Sequence, residues 1–176
     1  TKSNKQLFHV YKSLLPPGAS LEEYSGVWDT AQTVHLLKRI LFGAPLSSIN
    51  YFKQKSMSDA VDELLQETPP PLSQPLNNYD TDGYTDPTGV PAWQTWVNAN
   101  LLIADSELNL KRAASLRTWW TGQLLNQQNS IHEKMTLFWH NHFATDMYKD
   151  DTIRATFWYN HYLTLRRNAL GNFKQL

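Results

Sequence analysis

Ser130-Ile-His-Glu-Lys-Met-Thr-Leu-Phe-Trp-His-Asn-His-Phe143 is the stretch that decides how this chain is read. Three histidines, one acid and a run of large apolar side chains fall within a few helical turns. Ser130 with Glu133 three positions later has the pattern of a capping box, in which each side chain satisfies the other residue's free backbone N–H. A helix is therefore expected to begin here. At about 100° per residue, Ile131, Met135, Phe138 and His142 share one face, with Trp139 and Phe143 beside it. That stripe is expected to be buried, with His142 in its middle. His140 falls about 200° away, on the side of Glu133.

Working outward, the same signals predict an all-α chain. Asp29 with Gln32 repeats the capping-box pattern, and Val34, Leu37 and Leu41 trace a face that Gly43 would close as a left-handed cap. Shorter helices are expected over 47–55, anchored by Ile49, Tyr51 and Phe52, and over 59–67, behind a Ser56 or Ser58 cap. A long helix over 105–127 carries Leu108, Ala113, Leu116, Trp119, Trp120 and Leu124. A last one, capped by Asp150 or Asp151, runs to Ala169. No segment alternates with period two. The expectation is about six helices in an irregular bundle, broken by one long Pro/Asx-rich loop. Residues 1–28 read as an arm and loop, in which Leu7, Phe8, Val10 and Tyr11 suit one short helix before Pro16-Pro17-Gly18. Residues 29–176 read as the helical domain, with an irregular insertion over 68–92.

Composition narrows the function classes. Sixteen basic and sixteen acidic residues cancel, which gives no electrostatic footprint for nucleic acid or an anionic membrane. The absence of cysteine excludes disulfides and thiolate chemistry but leaves the compartment open. No apolar run reaches the length of a membrane span. The polar start, Thr1-Lys-Ser-Asn-Lys, lacks the apolar core of a signal peptide, so either none exists or it has been removed. The chain holds 7 Trp, 8 Tyr and 7 Phe, enough to build a heavy aromatic core and to leave aromatics over for a binding surface.

Two places carry possible chemistry. His142 and Asp146 are four apart, hence on one face of a continuing helix, and His161 can approach from the next helix. This set suits a divalent metal or acid–base work, with His140 as a further metal candidate; the other reading makes His142 a core histidine bonded to a neighbour. Within the long loop, Asn78, Asp80, Asp82 and Gly83 match the first half of a calcium loop, and Asp86 stands at the ninth position. Gly89 stands where the bidentate glutamate belongs, and Asx and Gly also dominate ordinary turns. Lys149, Arg154, Arg166 and Arg167 read as solvated surface. No Gly-rich phosphate loop or nucleophile elbow is present.

Several blocks also carry a family resemblance. Val34-His-Leu-Leu-Lys-Arg39 with Phe42-Gly43, Gln94-Thr-Trp-Val-Asn98, Trp119-Trp120, Glu133-Lys-Met-Thr-Leu-Phe-Trp-His-Asn-His-Phe143 and Asn168-Ala-Leu-Gly-Asn-Phe173 resemble, in that order, the bacterial domain-of-unknown-function family numbered 1800. The resemblance spans about residues 27 to 176. It implies that this chain is the N-terminal portion of a longer protein, that the protein is exported (periplasmic, cell-surface or secreted), and that His140 and His142 are the family's characteristic histidines, without a role for either. The resulting expectation is a binding or assembly module of an exported or surface-associated protein, with protein partners that include the rest of its own chain. The alternative is a metal-dependent hydrolase whose His/Asp site is completed by residues further along.

Overall fold

The computed structural model describes residues 24–80, 83–99, 105–145 and 154–174. Among them are six helices: α1 (Thr30–Ile40), α2 (Leu46–Phe52), α3 (Met57–Leu64), α4 (Ser106–Leu125), α5 (His132–His142) and α6 (Ala155–Arg167). The only β pairing among the described residues is an isolated bridge between Leu76 and Thr95. The fold is all-α. The arm residues Leu7, Phe8, Val10 and Tyr11 lie outside the described residues.

Two apolar clusters organise the helices. The first gathers Leu37, Ile40, Leu41, Phe52, Ala60 and Leu64 from α1 to α3. The second joins Trp96 to Ala113 and Leu116 of α4 and to Ala155, Trp158 and Tyr159 of α6. The turn before α5 stitches them together. Ile131 packs against the first cluster and donates its N–H to Leu64 at 3.0 Å, while Gln127 accepts from the Phe42 N–H at 3.0 Å.

The caps differ instructively from the sequence patterns. Asp29 caps α1 by accepting from the Ala31 N–H at 2.7 Å, but Gln32 does not reciprocate. Gly43 is not left-handed. Instead, Lys134 reaches across from α5 and donates to the carbonyls of Lys38 and Leu41 at 3.1 and 3.0 Å, placing a cation at the negative end of α1. Ser56 caps α3 through the Asp59 N–H. Asp105 caps α4 through Leu108. Arg154 stands at the α6 N-cap position without a side-chain capping bond, and Asn109 of α4 takes the Ala155 N–H at 2.8 Å. Asp150 and Asp151 lie outside the described residues.

Among its described residues the proline-rich stretch contains no helix between Leu65 and Asn98, yet it is closely tied down. Asn77 is fully buried. Its side chain donates to Val90 and accepts from Tyr79 and Asp80, and its backbone exchanges bonds with Trp93 and Gln94. Ser115 of α4 then links the loop to the core, accepting from the Trp96 indole at 3.1 Å and donating to Leu76 at 2.6 Å. The insertion is thus a loop whose buried Asn77 finds its partners within the loop and which Ser115 ties to α4.

Candidate functional site

The inward face of α5 is the opposite of the apolar stripe. His132, Glu133 and Thr136 are its buried residues, whereas Phe138 is 55 % and Phe143 36 % exposed. His142 is exposed as well. The expectation that His142 lies in the core is therefore corrected. The cause is Glu133, which does not fold back as a capping box but points into the bundle. There it accepts from Arg166 Nε at 2.6 Å and from the Tyr162 hydroxyl at 2.8 Å. Arg166, read from sequence as solvated, is buried and also donates to the Pro70 carbonyl at 2.8 Å. Burial, followed by the Glu133 charge, pushes the Tyr162 hydroxyl well above its ordinary range. Tyr162 thus remains a neutral donor. The pairing sets the rotation of the helix, because a buried carboxylate without a partner costs more than a few exposed aromatic rings.

His132 completes this polar seam. Its Nε2 lies 3.1 Å from the Glu67 carbonyl, which can only accept, so Nε2 carries the proton and Nδ1 accepts from the Ser130 hydroxyl at 2.7 Å. Burial holds the imidazole below its ordinary pKa, against the Glu67 carbonyl that favours the charged form. A cavity of about 40 Å³ adjoins Ser130, His132, Glu133 and Arg166. That space admits water rather than a substrate, and the seam is structural.

The second constellation lies between α5 and α6. The His140 and His161 rings meet edge-on with centroids 5.9 Å apart, and Trp120 stands edge-on to His140 at 4.8 Å. Burial, then the neighbouring His161, lowers the His140 pKa. His161 Nε2 is buried and has no hydrogen-bond partner. A void of about 10 Å³ is lined by the two imidazoles together with Trp120, Trp158 and Thr145. His140, not His142, therefore meets His161. Asp146 lies outside the described residues. Among those described, no three His, Asp or Glu side chains converge as a metal cluster.

In the loop proposed for calcium, Asn78 is exposed and Asp80 half-buried, while Asp82 lies outside the described residues. Gly83 is left-handed, with φ 85°, as a sharp turn there requires. Asp86 is fully engaged. Its carboxylate accepts from Arg112 at 3.0 Å, from Tyr79 at 2.7 Å and from both the N–H and the hydroxyl of Thr88. Burial alone would raise this carboxyl, but the bonds from Thr88, Tyr79 and Arg112 hold it below the ordinary carboxylate range. A calcium ion would have to displace Arg112 to use it.

The face of α5 left outside is aromatic. Trp139, Phe143 and Phe173 form a stacked group, with centroids 6.1 Å apart for Trp139–Phe143 and 6.3 Å for Phe143–Phe173. Phe138 packs edge-on at 5.1 Å and His142 lies against Phe143 at 4.7 Å. Phe173 is 62 % exposed.

No described helix is long and apolar enough to cross a membrane. No curated protein and no solved structure matches this chain. One family does: its sequence pattern, described as "Protein of unknown function (DUF1800)", matches residues 35–176. That span takes in α5 with both histidine positions, the Glu133–Arg166 seam and the aromatic ridge, and the chain belongs to the DUF1800 family.

Proposed function

We propose that this domain is a binding or assembly module of an exported or surface-associated protein, and that it makes contact through the aromatic ridge of α5. The observation that supports this reading is the joint exposure of Phe138, Phe143 and Phe173 around Trp139. Contiguous exposed aromatic surface of this kind marks interaction sites, and aromatic anchors dominate their energetics. The partner includes other parts of the same longer protein; that length and the exported setting rest on the resemblance to the family. The test is a Phe138→Asp, Phe143→Asp variant of the full-length protein. Its far-UV spectrum is expected to be unchanged, while a partner or domain contact seen with the wild type by cross-linking mass spectrometry disappears. Identical cross-links in both proteins would rule out the ridge.

A second reading is a metal-dependent hydrolase, favoured by the approach of His140 to His161. Two imidazoles bound to one tetrahedral ion through nitrogens at about 2.0–2.1 Å would have ring centres roughly 5–6 Å apart, close to the spacing found. Asp146 and residues further along the chain would complete the site. Metal analysis of full-length protein separates the two readings: a stoichiometric divalent ion lost from His140→Ala and His161→Ala supports the hydrolase. Metal-free protein that keeps its fold and its cross-links sinks it.

A further inference from the structure

The turn Pro91-Ala92-Trp93-Gln94 is closed by the Gln94 N–H, which donates to the Pro91 carbonyl at 3.1 Å. Trp93, its second central residue, has φ 64° and is the only non-glycine residue with a left-handed backbone among the described residues. Ala92 before it is not left-handed, so the turn is type II, and Trp93 holds the position that glycine ordinarily takes. A bulky side chain is strained there, because its Cβ crowds the following carbonyl oxygen. The strained residue is held from outside the turn. Its N–H donates to the carbonyl of the buried Asn77 at 2.7 Å, and the Asn77 N–H donates to Gln94 at 2.8 Å. The ring gains little from burial in return, since Trp93 is 64 % exposed. A residue that strains its backbone and still stands in solvent is explained by what it contacts outside the fold.

We propose that Trp93 is the stacking platform of a binding site for a neutral oligosaccharide. The two segments that these backbone bonds join, 76–79 and 89–98, contain no charged residue. The amides of Asn78 and Gln94, each next in sequence to one end of the Asn77–Trp93 bond, are exposed. A pyranose ring matches this combination. Its C–H faces pack on an indole, and its hydroxyls both donate and accept, as an amide side chain does. A nucleic acid or an anionic lipid headgroup would call for basic residues, which these segments lack. Leu76 is the only other large apolar side chain exposed in them. They thus offer a protein one aromatic anchor, where the α5 ridge offers several. The proposal is independent of that ridge and of the histidine pair.

The test follows the tryptophan indole N–H resonances of the intact, isotope-labelled protein during titration with cellohexaose, maltohexaose or chitohexaose to millimolar concentration. The Trp93 resonance is identified by its absence from Trp93→Gly. It is expected to move with at least one of these sugars, while the resonances of the buried tryptophans stay. Trp93→Gly is expected to weaken that binding about tenfold or more, as loss of an aromatic anchor does, and Trp93→Tyr to keep part of it. The urea midpoint of Trp93→Gly is expected to stand at or above that of the wild type, because glycine relieves the left-handed strain. A Trp93 resonance that none of the sugars moves overturns the proposal. So does one moved only by phosphatidylcholine vesicles, which would assign the residue to a lipid surface. A lower urea midpoint in Trp93→Gly overturns it as well, by showing that the ring serves the fold.

Discussion

Glu133 is the side chain with the most to lose. It is buried together with Arg166 and accepts from two donors, Arg166 and Tyr162. Removing one member of a buried pair strands the other, at a cost of about 3–5 kcal/mol, whereas replacing both with apolar groups of similar volume is often neutral. Arg166→Met is thus expected to lower the unfolding free energy by about 3–5 kcal/mol in urea titrations, and Glu133→Leu with Arg166→Met to lower it by less than Arg166→Met alone. Tyr162→Phe, which removes one donor to the carboxylate, is expected to cost about 1.5–3 kcal/mol.

The pH dependence is decided by His132 and His140. Both have pKa values in the folded protein below the ordinary histidine value of 6.5. The unfolded chain thus binds more protons there, and stability falls as pH drops through 6.5 towards the folded values. Above 6.5 this contribution is fully present. The expected result is a urea midpoint that declines between pH 7 and pH 5, and declines less steeply in His132→Asn. An equal slope in that variant would remove His132 from the account. These roles were half legible. The sequence shows a capping box and a basic helix end; that Glu133 would leave its cap for Arg166 depends on α6 lying across α5, a long-range packing fact. The available signal was the spacing of Tyr162 and Arg166, four apart and hence on one helical face.

At the level of elements, helix positions followed local chemistry closely. Ser56 and Asp29 cap where capping residues were expected, and Asp105, where the long helix was expected to begin, caps it. What local chemistry could not show was the rotation of α5, because hydrophobic periodicity assumes that apolar side chains face inward. A buried ion pair and an exposed aromatic ridge break that assumption together. The pairing of His140 rather than His142 with His161 follows from the same rotation. Lys134 belongs to this scale too, since it serves α1 from α5. Lys134→Met is expected to cost about 0.5–1.5 kcal/mol by removing two hydrogen bonds to helix-end carbonyls, and to speed amide exchange at the end of α1 more than in α4.

Across the whole molecule, the α1–α3 cluster and the α4–α6 cluster meet at the Ser130–Lys134 turn. There Ile131, partly buried, packs against the α1–α3 cluster and donates its N–H to Leu64. Ile131→Ala is expected to destabilise by about 2–5 kcal/mol if the site cannot collapse. It is also expected to separate the unfolding transitions seen by a Trp28 probe in one half and a Trp158 probe in the other. A single coincident transition would show that the remaining polar links hold the halves together. The all-α class and the family were legible from sequence at this scale, because helix signals and signature blocks are local. The two-cluster division was not, since it rests on which helix faces meet.

The Asp86–Arg112 contact sets how the long loop responds to its surroundings. A bound calcium ion is a counter-charge on loan from the medium, and a chelator can take it away. Arg112 is part of the chain and cannot be drawn away from it. The Asp86 corner therefore keeps its compensating charge in calcium-rich and calcium-poor settings alike, and should hold its shape through a change of compartment.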